Sequence, residues 1–153
     1  MTTGRQIARS VRVAYMAMHR QTQSLLSTFG ITAEQYVLLA LLDIKDAITQ
    51  QELTRRASSD PNTIRDMLVR MERHGLVSRQ PHDTDRRAWS VRLTPKGQQT
   101  YAKLSKGLKP LQDTLLSPFA AQEAKTVVDF FNRIADAMKQ WEQDHQKTLK
   151  NVI

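Results

Sequence analysis

Apolar side chains recur every three or four residues along the first part of the chain, which is the spacing of one face of a helix. The pattern runs from Ile7 to Phe29 and stops at Gly30, a residue that suits a helix end. A second helix is predicted in ITAEQYVLLALLDI, where Thr32 and Gln35 form a capping-box pattern. Its nearly continuous apolar residues indicate a helix buried in the core.

Start and stop signals predict two more helices. Thr49 with Glu52 at the third position gives another capping-box pattern, for a short helix that SSD ends. Asp60 and Pro61 then stand in the favoured order of a cap and a first helical residue. This fourth helix runs to Gly75, which suits the left-handed C-terminal position.

The fourth helix has two distinct faces. Its apolar stripe consists of Ile64, Met67, Leu68 and Met71. Its other side carries Asn62, Thr63, Arg65, Asp66, Val69, Arg70 and Arg73. Short polar side chains therefore crowd its exposed N-terminal end.

Alternating residue character in LVSRQP and AWSVRL predicts a two-stranded hairpin with the tip HDTDRR. Trp89, on the second strand, is expected to pack in the core beneath the hairpin. Thr94 and Pro95 end that strand and begin another helix, which Pro110 is expected to kink. A last amphipathic helix closes the chain. The fold class is therefore mainly α with one small β-hairpin.

The order of these elements indicates a DNA-binding fold. A short helix, a turn and a helix with an exposed polar N-terminal end form a helix-turn-helix, and a basic hairpin directly after it forms a wing. Arg86 and Arg87 at the hairpin tip can reach a minor groove or phosphates. Asp83 or Asp85 can hold an arginine by a charge-assisted contact.

The run from Thr49 to Gly97, above all DTDRRAWSVRLTPKG, resembles the winged helix-turn-helix of the MarR family of bacterial and archaeal transcription regulators. The resemblance implies a single MarR-like domain over residues 1–153, with a DNA-binding lobe at 31–97 and dimerisation helices at 1–30 and 98–153. It also implies a homodimer that binds double-stranded DNA at a pseudo-palindromic operator, with half-site centres about 10 base pairs apart.

The predicted DNA-binding residues are Arg55, Asn62, Thr63, Arg65, Asp66, Arg70, Asp85, Arg86 and Arg87. By resemblance, Asn62, Thr63 and Arg65 face base edges, Arg86 and Arg87 contact DNA from the wing, and Asp85 supports Arg87. Asp66 departs from the basic or polar residue common at its position, so it either accepts from a cytosine amino group or pairs with Arg70. Arg55 fits a phosphate contact or an ordinary solvated charge. Arg70 and Arg73 also fit surface pairs with Asp66 and Glu72.

The resemblance further implies a small aromatic or phenolic carboxylate as effector, which releases a repressor from its operator. Predicted ligand-binding residues are Arg12, Tyr15, Met16, His19, Tyr36 and Met67. Arg12 would hold the carboxylate, and His19 or Tyr36 would bond a ring hydroxyl. Arg12 equally fits a solvated charge or a dimer contact, because it follows Arg5 and Arg9 on a helix without acidic residues.

Composition agrees with a nucleic-acid partner. The net charge is +8 with a pI near 10.1, and residues 50–97 hold ten basic and six acidic residues. The absence of cysteine excludes disulfides and thiolate metal sites. No apolar run is long enough to span a membrane and no secretion signal precedes the first helix, so a cytoplasmic protein is expected.

No catalytic residues, cofactor or metal site are predicted. The four histidines are scattered, and neither an HExxH motif nor a glycine-rich phosphate loop occurs. A metal-responsive regulator using His74 and His82 with Asp83 or Glu72 stays open as an alternative. So do an effector-independent DNA-binding protein and a protein-interaction module.

Overall fold

The computed structural model describes residues 1–45 and 47–150, with side chains up to residue 146. The last three residues of the predicted dimerisation segment 98–153 lie outside the described residues. The elements are α1 (Gly4–Ser27), α2 (Ala33–Ile44), β1 (Ile48–Thr49), α3 (Gln50–Arg56), α4 (Pro61–Arg73), β2 (Val77–Pro81), β3 (Trp89–Leu93), α5 (Pro95–Leu116) and α6 (Ala121–Lys150).

The chain forms two compact units, Met1–Leu111 and Gln112–Ile153. The first contains the helix-turn-helix and the sheet, and the second contains α6. The lobe boundaries at residues 31 and 97 stay a prediction. α5 continues through Pro110 without interruption.

The predicted helix caps of α2 and α4 are confirmed. Thr32 accepts from the Gln35 amide at 3.1 Å, and the Gln35 side chain accepts from the Thr32 amide at 3.1 Å. Asp60 accepts from the Thr63 amide at 2.9 Å, and Gly75, which follows the C-cap of α4, has a φ of +72°. Local sequence therefore determines where α4 begins and ends.

The capping box predicted for α3 is only half right. Thr49 Oγ1 accepts from the Glu52 amide at 3.1 Å, as expected. The Glu52 carboxylate bonds the arginines of its own helix instead, at 2.7 Å from Arg55 Nη2 and 2.7 Å from Arg56 Nε. The two cations on the following turn outcompete a neutral amide for a carboxylate.

The predicted two-stranded hairpin is part of a three-stranded antiparallel sheet in the order β1-β3-β2. Ile48 of β1 pairs with Val91, and Arg79 of β2 pairs with the same Val91 on the other side. β1 was not predicted, because a strand of two residues is too short to show an alternating pattern in the sequence. It joins the start of α3 to the base of the wing.

The core of the first unit lies beneath α4 and combines side chains from α2 to α5. Leu39, Leu53, Ile64, Leu68, Met71 and Val91 have no exposed surface. The predicted apolar stripe of α4 is thus confirmed, and Met67 packs partly buried against this core. Because α4 is held along one face by three fully buried side chains, its opposite face is directed outward.

Trp89 is not a core residue, contrary to expectation. It is 45% exposed, opposite Pro81 at the outer end of the hairpin. The core reaches only to the base of the hairpin, at Val77 and Val91. Alternation therefore predicted the face of the sheet correctly but not how far the core extends along it.

The contacts of Glu52 predict a pH-dependent contribution to stability. Hydrogen bonds from Arg55 and Arg56 lower the pKa of Glu52 from 4.5 to about 2. Because the folded pKa is depressed, the stabilisation is present above the unfolded pKa and is lost as the pH falls from about 4.5 towards 2. Glu52→Gln should lower the Tm at pH 7, and thermal melts at decreasing pH should show the difference from wild type shrinking. A difference that stays constant from pH 7 to pH 2.5 would contradict this account.

Candidate nucleic-acid interface

The exposed face of α4 carries the polar residues predicted to face DNA. Asn62, Thr63, Arg65, Asp66 and Arg70 are all exposed, opposite the buried stripe. α3 packs behind α4 through the buried Leu53 and Thr54. The turn between the two helices passes through Ser58, whose φ is +50°. The arrangement presents one helix outward and supports it with a second helix.

The Thr63 side chain is partly committed inside the protein. Its hydroxyl donates to Asp60 Oδ2 at 2.5 Å, and its amide donates to Asp60 Oδ1 at 2.9 Å. Both bonds lower the pKa of Asp60, and the bond from the Thr63 hydroxyl has the larger effect. With its single hydroxyl proton used, Thr63 offers a partner only an acceptor oxygen and a methyl group.

Asp66 pairs with Arg65. The sequence had suggested Arg70 or a cytosine amino group as its partner. Arg65 Nε lies 3.6 Å from Asp66 Oδ1, and both side chains are more than 60% exposed. An exposed pair at this distance contributes little to stability and separates easily. Both side chains are therefore available on the outer face of α4.

The wing tip exposes two guanidinium groups on an ordered turn. The Asp85 carboxylate accepts from the Arg87 backbone amide at 3.0 Å, and the Asp85 carbonyl accepts from the Ala88 amide at 3.0 Å. Asp85 thus shapes the turn, whereas it was expected to support the Arg87 guanidinium. Within the described part of the chain, no ion pair holds Arg86 or Arg87, and both are exposed.

The LTPKG segment clamps the end of α4 to the start of α5. Thr94 Oγ1 donates to the Gly75 carbonyl at 2.6 Å, and Lys96 Nζ donates to the His74 carbonyl at 2.7 Å. The Thr94 amide donates to the Leu76 carbonyl at 3.1 Å. Sequence reasoning found a helix start here but missed the clamp, which satisfies carbonyls left open at the end of α4.

Glu72 is the other functional candidate that sequence reasoning misplaced. A surface pair with Arg70 or Arg73 on α4 was one alternative for it, whereas its carboxylate binds Arg79 on β2 at 2.8 Å. Arg79 lies on the same side of β2 as the buried Val77. A charge at an inward-facing strand position requires a partner of opposite charge. The position of Arg79 in the strand pattern was therefore the sequence signal that could have indicated this ion pair.

The predicted ligand-binding residues lie in several local groups. Arg12, Tyr15 and Met16 are exposed on α1, and Tyr15 stacks on the partly buried His19 with ring centroids 5.5 Å apart. His19 Nε2 lies 3.9 Å from Glu34, whereas Tyr36 contacts the Tyr101 ring at 5.7 Å. That Arg12, Tyr36 and Met67 belong to one ligand site stays a prediction.

The residues proposed for a metal-responsive alternative have other local roles. His74 is the C-cap of α4, and His82 Nδ1 contacts the Thr84 hydroxyl at 3.1 Å. Among the described residues, no three histidine or acidic side chains gather at a metal-binding distance. No helix within the described ranges is both long enough and apolar enough to cross a membrane.

A core-anchored outward helix, a preceding support helix and a wing with exposed arginines define a winged helix-turn-helix protein. The profile of the MarR family matches residues 31–89. Over its helix-turn-helix and the first part of its wing, the chain is therefore similar to the MarR family.

Two curated relatives are transcriptional regulators of Bacillus subtilis strain 168. The uncharacterised HTH-type regulator YdgJ is 29% identical over 105 residues, which are 69% of this chain and 64% of YdgJ. The organic hydroperoxide resistance regulator is 34% identical over 80 residues, which are 52% of this chain and 54% of that protein. The chain thus matches between half and two thirds of the length of these relatives.

Solved structures resemble the chain over most of its length. A mutant MarR from Escherichia coli complexed with operator DNA is 26% identical with a TM-score of 0.77, covering 84% of this chain and 92% of that one. PcaV from Streptomyces coelicolor, in complex with its natural ligand, is 26% identical with a TM-score of 0.73, covering 90% and 94%. The mainly helical winged helix-turn-helix fold is thereby confirmed.

Proposed function

We propose that this protein is a homodimeric, sequence-specific transcription regulator, a repressor that a small aromatic or phenolic carboxylate releases from its operator. The observation that carries the proposal is the fixed outward face of α4. Buried side chains hold one face of this helix, and the LTPKG clamp holds its end. The operator complex of the E. coli neighbour supports DNA as the partner.

In this proposal α4 is the recognition helix, which would read bases in the major groove. Asn62 would bond adenine, Arg65 would bond guanine, and Asp66 would accept from a cytosine amino group once its contact with Arg65 opens. Thr63 would contribute its acceptor oxygen or its methyl group, because its proton is donated to Asp60. Discrimination between base pairs would therefore depend mainly on Asn62, Arg65 and Asp66, whose side chains are exposed.

Phosphate contacts would come from other arginines. Arg86 and Arg87 would extend from the wing tip, and Arg70 from the exposed side of α4. Arg55 already donates twice to Glu52, at 2.9 and 2.7 Å, so it would meet a phosphate with its remaining donors. Asp85 would act indirectly, because its carboxylate orders the turn that carries Arg87.

A second copy of the chain is the proposed partner of the terminal helices. In α6, Phe131, Met138 and Trp141 recur at helical spacing and are 47% to 59% exposed in the single chain. In α1, Val13 and Leu25 are also exposed. Large apolar side chains that are grouped on an exposed helix face are typical of an interaction site.

Selection from a library of random DNA duplexes tests the proposed specificity. A two-fold dimer should enrich a pseudo-palindrome with half-site centres about 10 base pairs apart, or a multiple of that spacing. Sedimentation should give two chains per duplex. Enrichment of no sequence would remove the sequence-specific reading, and strong binding without preference would favour an architectural DNA-binding protein.

The proposed effector site includes Arg12 with the Tyr15 and His19 rings. The Arg12 guanidinium, one turn before Tyr15 and two turns before His19, offers a charged contact for a carboxylate, and the two stacked rings offer a flat surface for an aromatic ring. The ligand-bound state of PcaV supports a small-molecule effector. The ligand would weaken DNA binding by the difference between its affinities for the two states of the dimer.

Arg12→Ala should reduce the response to the effector more than it reduces DNA binding. A thermal-shift screen with benzoates, hydroxycinnamates and phenols identifies the compound, since a ligand at about 100 times its Kd stabilises by about 2.7 kcal/mol. The variant should lose most of that shift, because the carboxylate loses its cation. Arg9→Ala, which removes the same charge from the same helix, is the control.

An equal shift in Arg12→Ala and wild type would remove Arg12 from the site. The absence of a shift with every compound would favour an effector-independent regulator.

A further inference from the structure

We propose that Glu72, Arg79 and Trp89 form a brace that fixes the wing tip relative to the recognition helix. We call these three side chains the wing brace. In this account Glu72 and Arg79 are positioning residues: they contact each other and the wing, and they determine where Arg86 and Arg87 lie. The inference rests on the proposed DNA-binding function, although one of its tests requires no DNA.

The first link of the wing brace joins α4 to β2. Glu72 lies on the last turn of α4, and its carboxylate accepts three bonds from Arg79: from the backbone amide at 3.2 Å, from Nε at 3.0 Å and from Nη2 at 2.8 Å. Both the backbone and the side chain of one β2 residue are therefore fixed to the recognition helix. A contact with several donors restrains direction as well as distance.

This ion pair has the least exposed cation among the ion pairs described in the first unit. The Arg79 side chain is 16% exposed, whereas the cationic side chains of the other pairs are 29% to 71% exposed. The pairs of Arg55, Arg56 and Arg65 also lie within single helices, which they cannot orient relative to another element. Because Arg79 is shielded from water, loss of its partner has a larger effect than loss of a surface pair.

The second link joins β2 to the start of β3. The Arg79 guanidinium carbon lies 5.6 Å from the centre of the Trp89 ring, within the range of a cation–π contact. Trp89 is the first residue of β3 and comes directly after the tip. The contacts thus run from α4 through Glu72, Arg79 and Trp89 to the segment that carries the wing arginines.

The wing brace acts where the core does not reach. Val77 and Val91 are buried at the base of the hairpin, but Gln80, Pro81 and Trp89 in its outer half are exposed. Loss of the wing brace should therefore leave the fold intact while the outer hairpin moves more freely. Wing arginines on a mobile tip bind DNA less well, because binding must then order the tip.

Tryptophan fluorescence tests the wing brace without DNA. Trp89 and Trp141 are the two tryptophans of the chain, so Trp141→Phe leaves Trp89 as the single probe. In that background, and at a temperature well below the Tm of both proteins, Glu72→Gln should increase acrylamide quenching of Trp89 and lower its fluorescence anisotropy. Glu142→Gln, a glutamate substitution on α6, is the matched control and should change neither. Quenching and anisotropy unchanged in Glu72→Gln would overturn the proposal.

A DNA titration of Glu72→Gln distinguishes the wing brace from a simple charge effect, because the two predict opposite changes in DNA affinity. Removing a carboxylate near the interface should strengthen binding to a polyanion, whereas loss of the wing brace should weaken it about tenfold at fixed salt. The combined substitution Arg86→Ala and Arg87→Ala should then reduce affinity by a smaller factor in Glu72→Gln than in wild type. Unchanged or tighter binding, with the full arginine effect retained, would overturn the proposal.

Arg79→Lys is the second variant, in case Glu72→Gln folds poorly. It keeps the charge and loses the forked donor geometry, so it should show the same changes as Glu72→Gln. If wild type binds no DNA specifically, the proposed function fails, and the fluorescence of Trp89 alone then decides whether the wing brace exists.

Discussion

Gly97→Ala is expected to destabilise the protein by roughly 3 kcal/mol or more, through overpacking against the backbone. A Cβ at this position would lie 2.0 Å from the Leu76 carbonyl oxygen and 3.3 Å from Leu93 Cδ2. The carbonyl cannot retreat freely, because it accepts from the Thr94 amide at 3.1 Å. Relief of the clash would open the clamp between the recognition helix and α5.

Chemical denaturation of both proteins measures this effect. The matched control is Gly107→Ala, in the same helix, where an added Cβ meets nothing within 4 Å. Alanine is the better helix former, so this control should be as stable as wild type or up to about 1 kcal/mol more stable. A Gly97→Ala variant with wild-type stability would show that the close approach at Leu76 does not hold the two helices.

The combined substitution Arg86→Ala and Arg87→Ala is expected to lower operator affinity by about 100-fold at fixed salt. Both guanidinium groups are exposed at the wing tip, where they can displace counterions from the DNA. The slope of log K against log salt should therefore fall by about two. Thermal stability and dimerisation should not change, because neither side chain packs in the core.

Titrations at several salt concentrations measure both quantities. Arg5→Ala with Arg9→Ala removes the same charge from the exposed start of α1 and should leave the salt slope close to that of wild type. Equal losses in the two double variants would mean that net charge, and not the wing, determines affinity.

Local signals made much of the fold predictable from sequence. A cap needs residues only three positions apart, so Thr32, Asp60 and Gly75 located their helix ends correctly. The buried stripe of α4 was also predictable, because its period appears over several turns. The outward face of α4, and with it the candidate site residues, follows from that stripe.

Contacts between separate elements were not predictable in the same way. Glu72 and Arg79 lie seven residues apart across a helix end and a turn, and their pairing depends on the angle at which β2 leaves α4. The short Asp85 carboxylate reaches the Arg87 backbone amide, two residues further on, more readily than it reaches the guanidinium at the end of the long Arg87 side chain. Neighbouring charges in the sequence therefore suggested an ion pair where the fold has a turn.

Paired equilibrium titrations of the wild-type protein test the central claim most directly, one on a duplex obtained by selection and one on a scrambled duplex of equal length and composition. At the same near-physiological salt, a sequence-specific regulator should bind the selected duplex at least about 1,000-fold more tightly. Equal affinities for the two duplexes would contradict the account, because they would show that the polar face of α4 reads no sequence.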